Sequence, residues 1–218
     1  MKDSYKHKGL RSKLVTELRH KSVTDERILR AIMDIPRHLF LDSAFAEWAY
    51  KDVAFPIESE QTISQPYTVA LQTSLLRLQG NEKILEIGTG SGYQACVLSH
   101  MGTKVYTIER HKKLFFKTGQ LLMDLGYNRI RTLLGDGYAG AERFAPYDRI
   151  LVTCGAPYIP DALLSQLKIG GILVIPLDNG EEQRMIRLTK VEKNRFTKED
   201  FGSCSFVPFL KGVENKHN

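Results

Sequence analysis

The segment Ile84-Leu85-Glu86-Ile87-Gly88-Thr89-Gly90-Ser91-Gly92 reads as a buried strand running into a glycine-rich turn and then a helix. Glycines at such a turn let the backbone approach a ligand closely. Their spacing is G-x-G-x-G, not the G-x-G-x-x-G that seats a dinucleotide pyrophosphate on a helix N-terminus, which favours S-adenosylmethionine over a nicotinamide dinucleotide. Glu109 lies 21 residues beyond Gly88, at the end of the next strand. An acid there accepts hydrogen bonds from both ribose hydroxyls of an adenosine-containing ligand. Gly135-Asp136-Gly137 closes a third strand. Asp136 either accepts from an adenine amino group, with the glycines leaving room for the ring, or belongs to an ordinary Asp-Gly turn. Glu86 is a carboxylate inside a strand pattern, costly to bury unless hydrogen-bonded, and is expected at the floor of the cofactor pocket near the methionine part.

Other chemistries find less support. Cys96, Cys154 and Cys204 are far apart, odd in number and in no C-x-x-C arrangement, against both a disulfide framework and a zinc site. The six histidines show no H-x-x-x-H pair, so no metal centre is expected. No histidine or acid stands in a motif that would make it the activating base of a serine nucleophile, so a hydrolase triad is not expected either.

These residues need a frame. At 218 residues, 42% hydrophobic and 26% charged, the chain has globular usage and room for one large domain. Leu10, Leu14 and Leu18 recur four apart, and Ile28, Ile32 and Ile35 repeat the face after Thr24, with Asp25 and Glu26 as cap and first turn, so two helices open the protein. Pro36 ends the second. Residues 37–65 lack a sustained period and read as a structured loop region; a helix then runs from Pro66 towards Gly80-Asn81. Beyond Asn81, short apolar runs alternate with helical stretches, the pattern of βαβ units around a parallel sheet. Strands are predicted at 83–87, 104–109, 130–134, 148–153 and 172–175, with helices near 92–100, 111–125 and 161–167. Two further strands, 184–191 and 205–210, are expected as an antiparallel edge pair. The fold class is α/β: a Rossmann-like, mostly parallel sheet of about seven strands flanked by helices, with an N-terminal helical extension. No linker or repeat divides the chain, so residues 1–218 are expected to form one domain, 1–80 helical and loop region and 81–218 core.

Charge is uneven. Residues 1–30 carry nine Lys/Arg against four acids, +5 of the net +6, so any phosphate-binding surface would have to be this arm. Apolar runs such as Ile172 to Pro176 stop well short of the roughly 20 residues a bilayer requires. The start, MKDSYKHKG, has no apolar leader segment, and a cytoplasmic address is expected.

Several longer blocks go beyond a generic nucleotide site: Gln61-Thr62-Ile63-Ser64-Gln65-Pro66-Tyr67, LEIGTGSGYQACVL (85–98), VYTIER (105–110), GDGYAG (135–140), the stretch from Ala145-Pro146-Tyr147-Asp148 through Gly170-Gly171 to Leu177, and FVPFL (206–210). Together they resemble the bacterial protein-L-isoaspartate O-methyltransferases, over residues 10–212. The Gln-Thr-Ile-Ser-Gln-Pro run and the Ala-Pro-Tyr-Asp to Gly-Gly block are specific to that family, whereas the glycine turn alone fits any class I methyltransferase. The resemblance implies methyl transfer from S-adenosyl-L-methionine, leaving S-adenosyl-L-homocysteine, to the α-carboxyl of isoaspartyl residues in aged proteins. The methyl ester then closes to a succinimide, which hydrolyses partly to normal aspartate. It places the active-site serine on Ser64, as a donor that positions the carboxylate. Cofactor contacts fall on Thr62, Ile63, Glu86, Gly88, Thr89, Gly90, Glu109, Arg110, Asp136 and Gly137. Substrate contacts fall on Ser64, Gln65, Val207 and Pro208, with Phe206 helping to form the groove. It also implies a monomer whose partners are isoaspartyl proteins and peptides, neither a membrane nor nucleic acid.

One departure stands out. Relatives commonly carry glycines just before Gln-Thr-Ile-Ser, where this chain has Glu58-Ser59-Glu60. That limits positive-φ conformations and adds two negative charges near a site meant for a carboxylate, so these acids are expected to point to solvent. Two other readings remain: a class I methyltransferase acting on nucleic acid through the basic arm, and a non-catalytic adenosine-nucleotide-binding module whose groove residues 58–60 have closed. Asn179-Gly180, after the last parallel strand, is a sequence prone to isoaspartate formation.

Overall fold

The computed structural model describes residues 3–214. Two helices open it, α1 (Tyr5–His20) and α2 (Glu26–Asp34). The Ser4 hydroxyl accepts from the His7 amide at 3.3 Å at the start of α1, and Asp25 accepts from the Arg27 amide at 2.9 Å at the start of α2. Residues 37–65 hold two short 3₁₀ turns and a small antiparallel hairpin, β1 (Phe55–Pro56) with β2 (Thr62–Ile63). Then come α3 (Pro66–Leu75), β3 (Lys83–Ile87), α4 (Tyr93–His100), β4 (Lys104–Glu109), α5 (Lys112–Asp124), β5 (Arg131–Leu134), β6 (Tyr147–Val152), α6 (Asp161–Gln166), β7 (Leu167–Asp178), β8 (Gln183–Glu192) and β9 (Arg195–Cys204).

The large sheet has order β5-β4-β3-β6-β7-β8-β9. Its first five strands are parallel, and β8 and β9 add antiparallel at one side. The order of connection reverses at β3, the chain stepping to β4 and β5 on one side and then to β6 and β7 on the other, so the ends of these strands open a crevice where open α/β sheets bind ligands. Apolar residues cover both faces, which is why the central strands read as unbroken hydrophobic runs. Ile84, Leu151 and Val174 join the core beneath α1 to α4, while their neighbours Leu85, Ile150 and Leu173 join the core that includes Leu163 of α6 and Phe209.

The expected edge pair is corrected by the structure. The last strand is Arg195–Cys204, hairpinned to β8, and residues 205–210 are not a strand of the sheet. The sequence RFTKEDFGSC is mostly exposed at an edge, so it lacks the apolar alternation by which a strand is recognised. Residues 205–210 instead cross the ends of the strands, touching the loop after β6 through a single bridge between Gly155 and Pro208. Strand β7 also begins earlier than the apolar run at 172–175, because Leu167 already pairs with Tyr147.

The basic arm is largely tied down. Arg11 is 4% exposed; its guanidinium donates to both Asp3 oxygens at 3.0 and 2.8 Å and to the Tyr50 hydroxyl at 3.2 Å. Lys6 pairs with Glu47, Arg19 with Glu26, and Lys21 with both Glu17 and Asp52. No helix among the described residues is long and apolar enough to cross a membrane.

Candidate functional site

The crevice is a cleft at the carboxyl ends of β3, β4 and β6. Its floor is the glycine turn. Gly88 and Thr89 donate their amides to the Ile108 carbonyl at 2.9 and 3.1 Å, stitching the turn to β4. Gly88, Gly90 and Gly92 have φ of +96°, +51° and +84°, a region L side chains rarely adopt. A Cβ on Gly88 would lie 2.5 Å from Thr153 Oγ1, so that position also requires glycine for space.

Glu109 closes β4 at 4% exposure, with both oxygens engaged: Oε2 accepts from the Gly90 amide and Oε1 from the His111 amide, each at 2.9 Å. The carboxylate thus fixes the glycine turn as well as facing the cleft. Each oxygen retains a lone pair for a hydroxyl. Thr62, Ile63, Ser64, Thr89, Arg110, Gly137, Val207 and Pro208 also line the cleft. Gln65 lies in an adjoining groove that shares Thr62, Ser64, Thr153 and Val207 with the cleft and runs past Ala54, Thr68 and Phe206. Ser64 therefore sits at the seam between the two spaces.

Two residues expected at the cofactor, Glu86 on the pocket floor and Asp136 at the adenine, are not among those that line the cleft. Glu86 is fully buried behind the turn, where it accepts from the Thr107 hydroxyl at 2.5 Å, and Thr107 in turn meets the Thr89 hydroxyl at 2.7 Å. In a parallel strand covered on both faces, alternation turns residue 86 to the side opposite Ile87, which does line the cleft. Burial pushes its carboxyl up to about 8, reinforced by the Glu109 charge and opposed by the Thr107 hydrogen bond, so it is mostly protonated at neutral pH. Asp136 begins the 3₁₀ turn 137–139. Its Oδ1 accepts from the Tyr138 amide and its Oδ2 from the Gly212 amide, each at 2.9 Å. That carboxylate fastens the C-terminal segment to the loop after β5 while Gly137 lines the cleft.

Residues 205–214 form a strap across the strand ends. Gly155 donates to the Val207 carbonyl and Phe209 to the Gly155 carbonyl, both at 2.8 Å. Gln183 grips the strap's backbone with both ends of its amide: Phe206 N–H donates to Oε1 at 2.7 Å, and Nε2 donates to the Phe206 carbonyl at 3.1 Å. Arg110 donates through Nε to the Gly212 carbonyl at 3.1 Å, and His111 pairs with Glu214. Sequence reasoning missed Gln183, Thr153 and His111, since no motif marks them: Gln183 and His111 are brought in by the strap that crosses the strand ends, and Thr153 by the pairing of β6 with β3, where its hydroxyl donates to the Ile87 and Gly88 carbonyls.

The loop before Ser64 turns its first acid away. Glu58 meets Lys117 at 2.7 Å and Lys113 at 3.4 Å on α5, and the Lys117 hydrogen bond holds its carboxyl below the usual range. Glu60 is exposed. Ser59 and Glu60 adopt φ of +59° and +55° without being glycine.

Asp3, His7 and His38 also bring three ligand-type atoms within 4.8 Å of one another at the start of α1. Asp3 is occupied by Arg11, and His38 Nδ1 meets the Tyr50 hydroxyl at 2.5 Å, so the group functions as the polar anchor of the N-terminal helix.

Residues 9–214 match the family described as protein-L-isoaspartate(D-aspartate) O-methyltransferase. The chain is 58% identical to a protein-L-isoaspartate O-methyltransferase of Cytophaga hutchinsonii, over 96% of this chain and 95% of that one. It is 52% identical to one of Christiangramia forsetii, over 97% and 99%. Among solved structures, a protein-L-isoaspartate O-methyltransferase superposes with a TM-score of 0.85 at 29% identity, covering 94% of this chain and 67% of that one. A structure from Plasmodium falciparum, in complex with S-adenosyl-L-homocysteine, shares the fold at a TM-score of 0.81 and 22% identity, over 94% and 99%.

Proposed function

The chain belongs to the protein-L-isoaspartate(D-aspartate) O-methyltransferase family, and from that membership we infer that it methylates the α-carboxyl of L-isoaspartyl residues with S-adenosylmethionine. The described residues fit such a cofactor: the glycine turn presents bare backbone to the cleft, and Glu109 retains lone pairs there for hydroxyls. When bound, S-adenosylmethionine supplies an electrophilic methyl group. The residues of the chain have little proton chemistry to do, because the acceptor carboxylate is already ionised near pH 7. Their task is to hold the acceptor oxygen in line and to exclude water.

We assign Thr62, Ile63, Gly88, Thr89, Gly90, Glu109, Arg110 and Gly137 to the cofactor, and Ser64, Gln65, Val207 and Pro208 to the peptide. The observation that carries this assignment is the position of Ser64, on the wall shared by the cleft and the groove. From there its hydroxyl donates to a carboxylate entering from the groove. Cys154 also lines the cleft, but burial raises its thiol, so it stays protonated and takes no nucleophilic part. Glu86 supports the turn from behind through Thr107 and Thr89.

Residues 10–80 share the apolar core beneath α1 to α4 with the sheet, which supports one domain over the described residues; residues 1–2 and 215–218 of the expected domain lie outside them. The ion pairs within the arm leave it less charge to offer a phosphate backbone, which supports a peptide substrate over nucleic acid. Glu58 turned to α5 leaves the groove open, against a closed, non-catalytic module. A monomer in the cytoplasm is the arrangement proposed.

The test is methyl transfer from labelled S-adenosylmethionine to one short peptide in isoaspartyl and aspartyl versions. Label is expected on the isoaspartyl version alone, and Ser64→Ala is expected to lower kcat/KM roughly a hundredfold while leaving cofactor affinity within about twofold, as for loss of one positioning donor. Equal labelling of both peptides, or an unaffected Ser64→Ala, overturns the assignment.

A further inference from the structure

The hairpin between β7 and β8 turns through Asn179, Gly180, Glu181 and Glu182, with Asp178 opposite Gln183 at its neck. Residues 178–182 are all exposed. Three contacts within it bear on the chemistry of the Asn-Gly bond. The Gly180 amide donates to Asp178 Oδ1 at 2.8 Å. The side-chain oxygen of Asn179 accepts from the backbone amides of Glu181 at 3.0 Å and Glu182 at 2.9 Å. Gly180 has φ +92°, and nothing lies within 4 Å of where a Cβ would stand, so the tip is open to water. The nitrogen that attacks in succinimide formation thus has a carboxylate to take its proton, and the oxygen that gains negative charge has two donors.

We propose that Asn179-Gly180 is a built site of succinimide formation, and that its isoaspartyl product is methylated by a second copy of this chain; the second half rests on the function proposed above. The Gly180 nitrogen bonds to the Asn179 side-chain carbon as its proton passes to Asp178. The electron pair displaced from the carbonyl collects on the Asn179 oxygen, held by the amides of Glu181 and Glu182. Collapse breaks the bond to the amide nitrogen, which takes the proton back from Asp178 and leaves as ammonia. Water then opens the ring. Attack at the backbone carbonyl routes the chain through the side chain and frees an α-carboxylate, the group that the family reaction methylates. The ladder at the neck and the hydrogen bond from the Asp178 amide to the Ala156 carbonyl at 2.8 Å hold the tip at the end of the sheet, so another molecule supplies the active site. Asp136-Gly137 is an internal contrast. There both carboxylate oxygens are held by backbone amides, and Gly137 is packed so closely that a Cβ would lie 2.4 Å from Ile87, so the segment is fixed against the rearrangement that ring closure requires.

The full chain is aged for several weeks in warm, mildly alkaline buffer, beside Asp178→Asn, Gly180→Ala and Asn179→Gln. Isoaspartate is located by proteolysis and electron-transfer fragmentation, a readout independent of methylation. The expected result is isoaspartate at 179 and not at 136, about tenfold slower or more in Asp178→Asn as for loss of a general base, slower in Gly180→Ala, and absent in Asn179→Gln. Fresh enzyme with labelled S-adenosylmethionine then labels the peptide containing residue 179 at least about tenfold above unaged protein, the margin expected when only the freed α-carboxylate is an acceptor. No isoaspartate at 179, or a rate indifferent to Asp178→Asn and Gly180→Ala, overturns the site. Isoaspartate that stays unlabelled, while the same enzyme labels a synthetic isoaspartyl peptide, overturns repair by a second copy. Failure on the synthetic peptide overturns instead the function on which that half rests.

Discussion

Two turns border the cleft, and they solve one backbone problem in different ways. The turn at residues 88–92 uses glycine at each of its positive-φ positions, so its shape requires no strain. The loop at residues 57–61 takes positive φ at Ser59 and Glu60, where each costs about 1 kcal/mol or more. It is held by Glu58 on Lys117 and Lys113 and by the Ile57 amide donating to the Gln61 carbonyl at 2.8 Å. The first turn is fixed by sterics, the second by ion pairs that salt weakens. A ligand-bearing floor thus meets a more yielding wall, and the wall leads directly into Ser64.

Breaking the rigid side carries the largest effect. Gly88→Ala places a Cβ 2.5 Å from Thr153 Oγ1 at φ +96°, and combined clash and strain are expected to destabilise by about 3 kcal/mol or more and to abolish measurable cofactor binding. Urea unfolding and calorimetric titration with S-adenosylhomocysteine check both.

Glu86 beneath that turn gives a pH signature of similar size. Its folded pKa, about 8, lies above its ordinary 4.5, so between those values the folded state binds a proton that the unfolded state has lost. Its contribution to stability is therefore full below pH 4.5, falls as pH rises towards 8 and is level above it. Glu86→Gln keeps the shape without the titration. The variant is expected to be more stable than the native chain by a few kcal/mol at pH 9 and to lose that advantage towards pH 5; parallel melting curves across pH decide it.

Glu109→Gln replaces one acceptor of a backbone amide by a donor. Cofactor affinity is expected to fall ten- to a hundredfold, the loss typical of a charge-assisted hydrogen bond, with a smaller loss of stability. Sharpening the yielding side gives the smallest effect. Ser59→Gly with Glu60→Gly relieves two left-handed positions and is expected to raise stability by about 1 kcal/mol, because the added freedom of the unfolded chain offsets part of the relief. If thermal melts show a loss instead, the ion pairs do not hold the loop under strain.

The glycine turn, Glu109 and the alternation of strands and helices were legible because each depends on local pattern: β-branched runs, a spacing of glycines, an acid at a strand end. Glu86 was not, because whether a residue of a buried parallel strand faces the ligand or the helices depends on the sheet's twist and the register of β3 against β4. Asp136 was half legible; its turn was evident, but its second oxygen holds Gly212, 76 residues away, which no local pattern announces. The edge strand was missed for the opposite reason, since an exposed strand needs no apolar alternation to pair with β8.

Sequence by itself determined the order of the helices and of the parallel strands, the glycine positions and the motif blocks that mark the family, because those follow from short-range sterics and from residues adjacent in the chain. Tertiary structure alone decided which face of β3 carries Glu86, that residues 205–214 become a strap gripped by Gln183 and Arg110, and that Ser64 stands where cleft meets groove. Those outcomes depend on contacts between residues 20 to more than 100 positions apart, whose pairing is set by how two apolar cores close on both faces of one sheet.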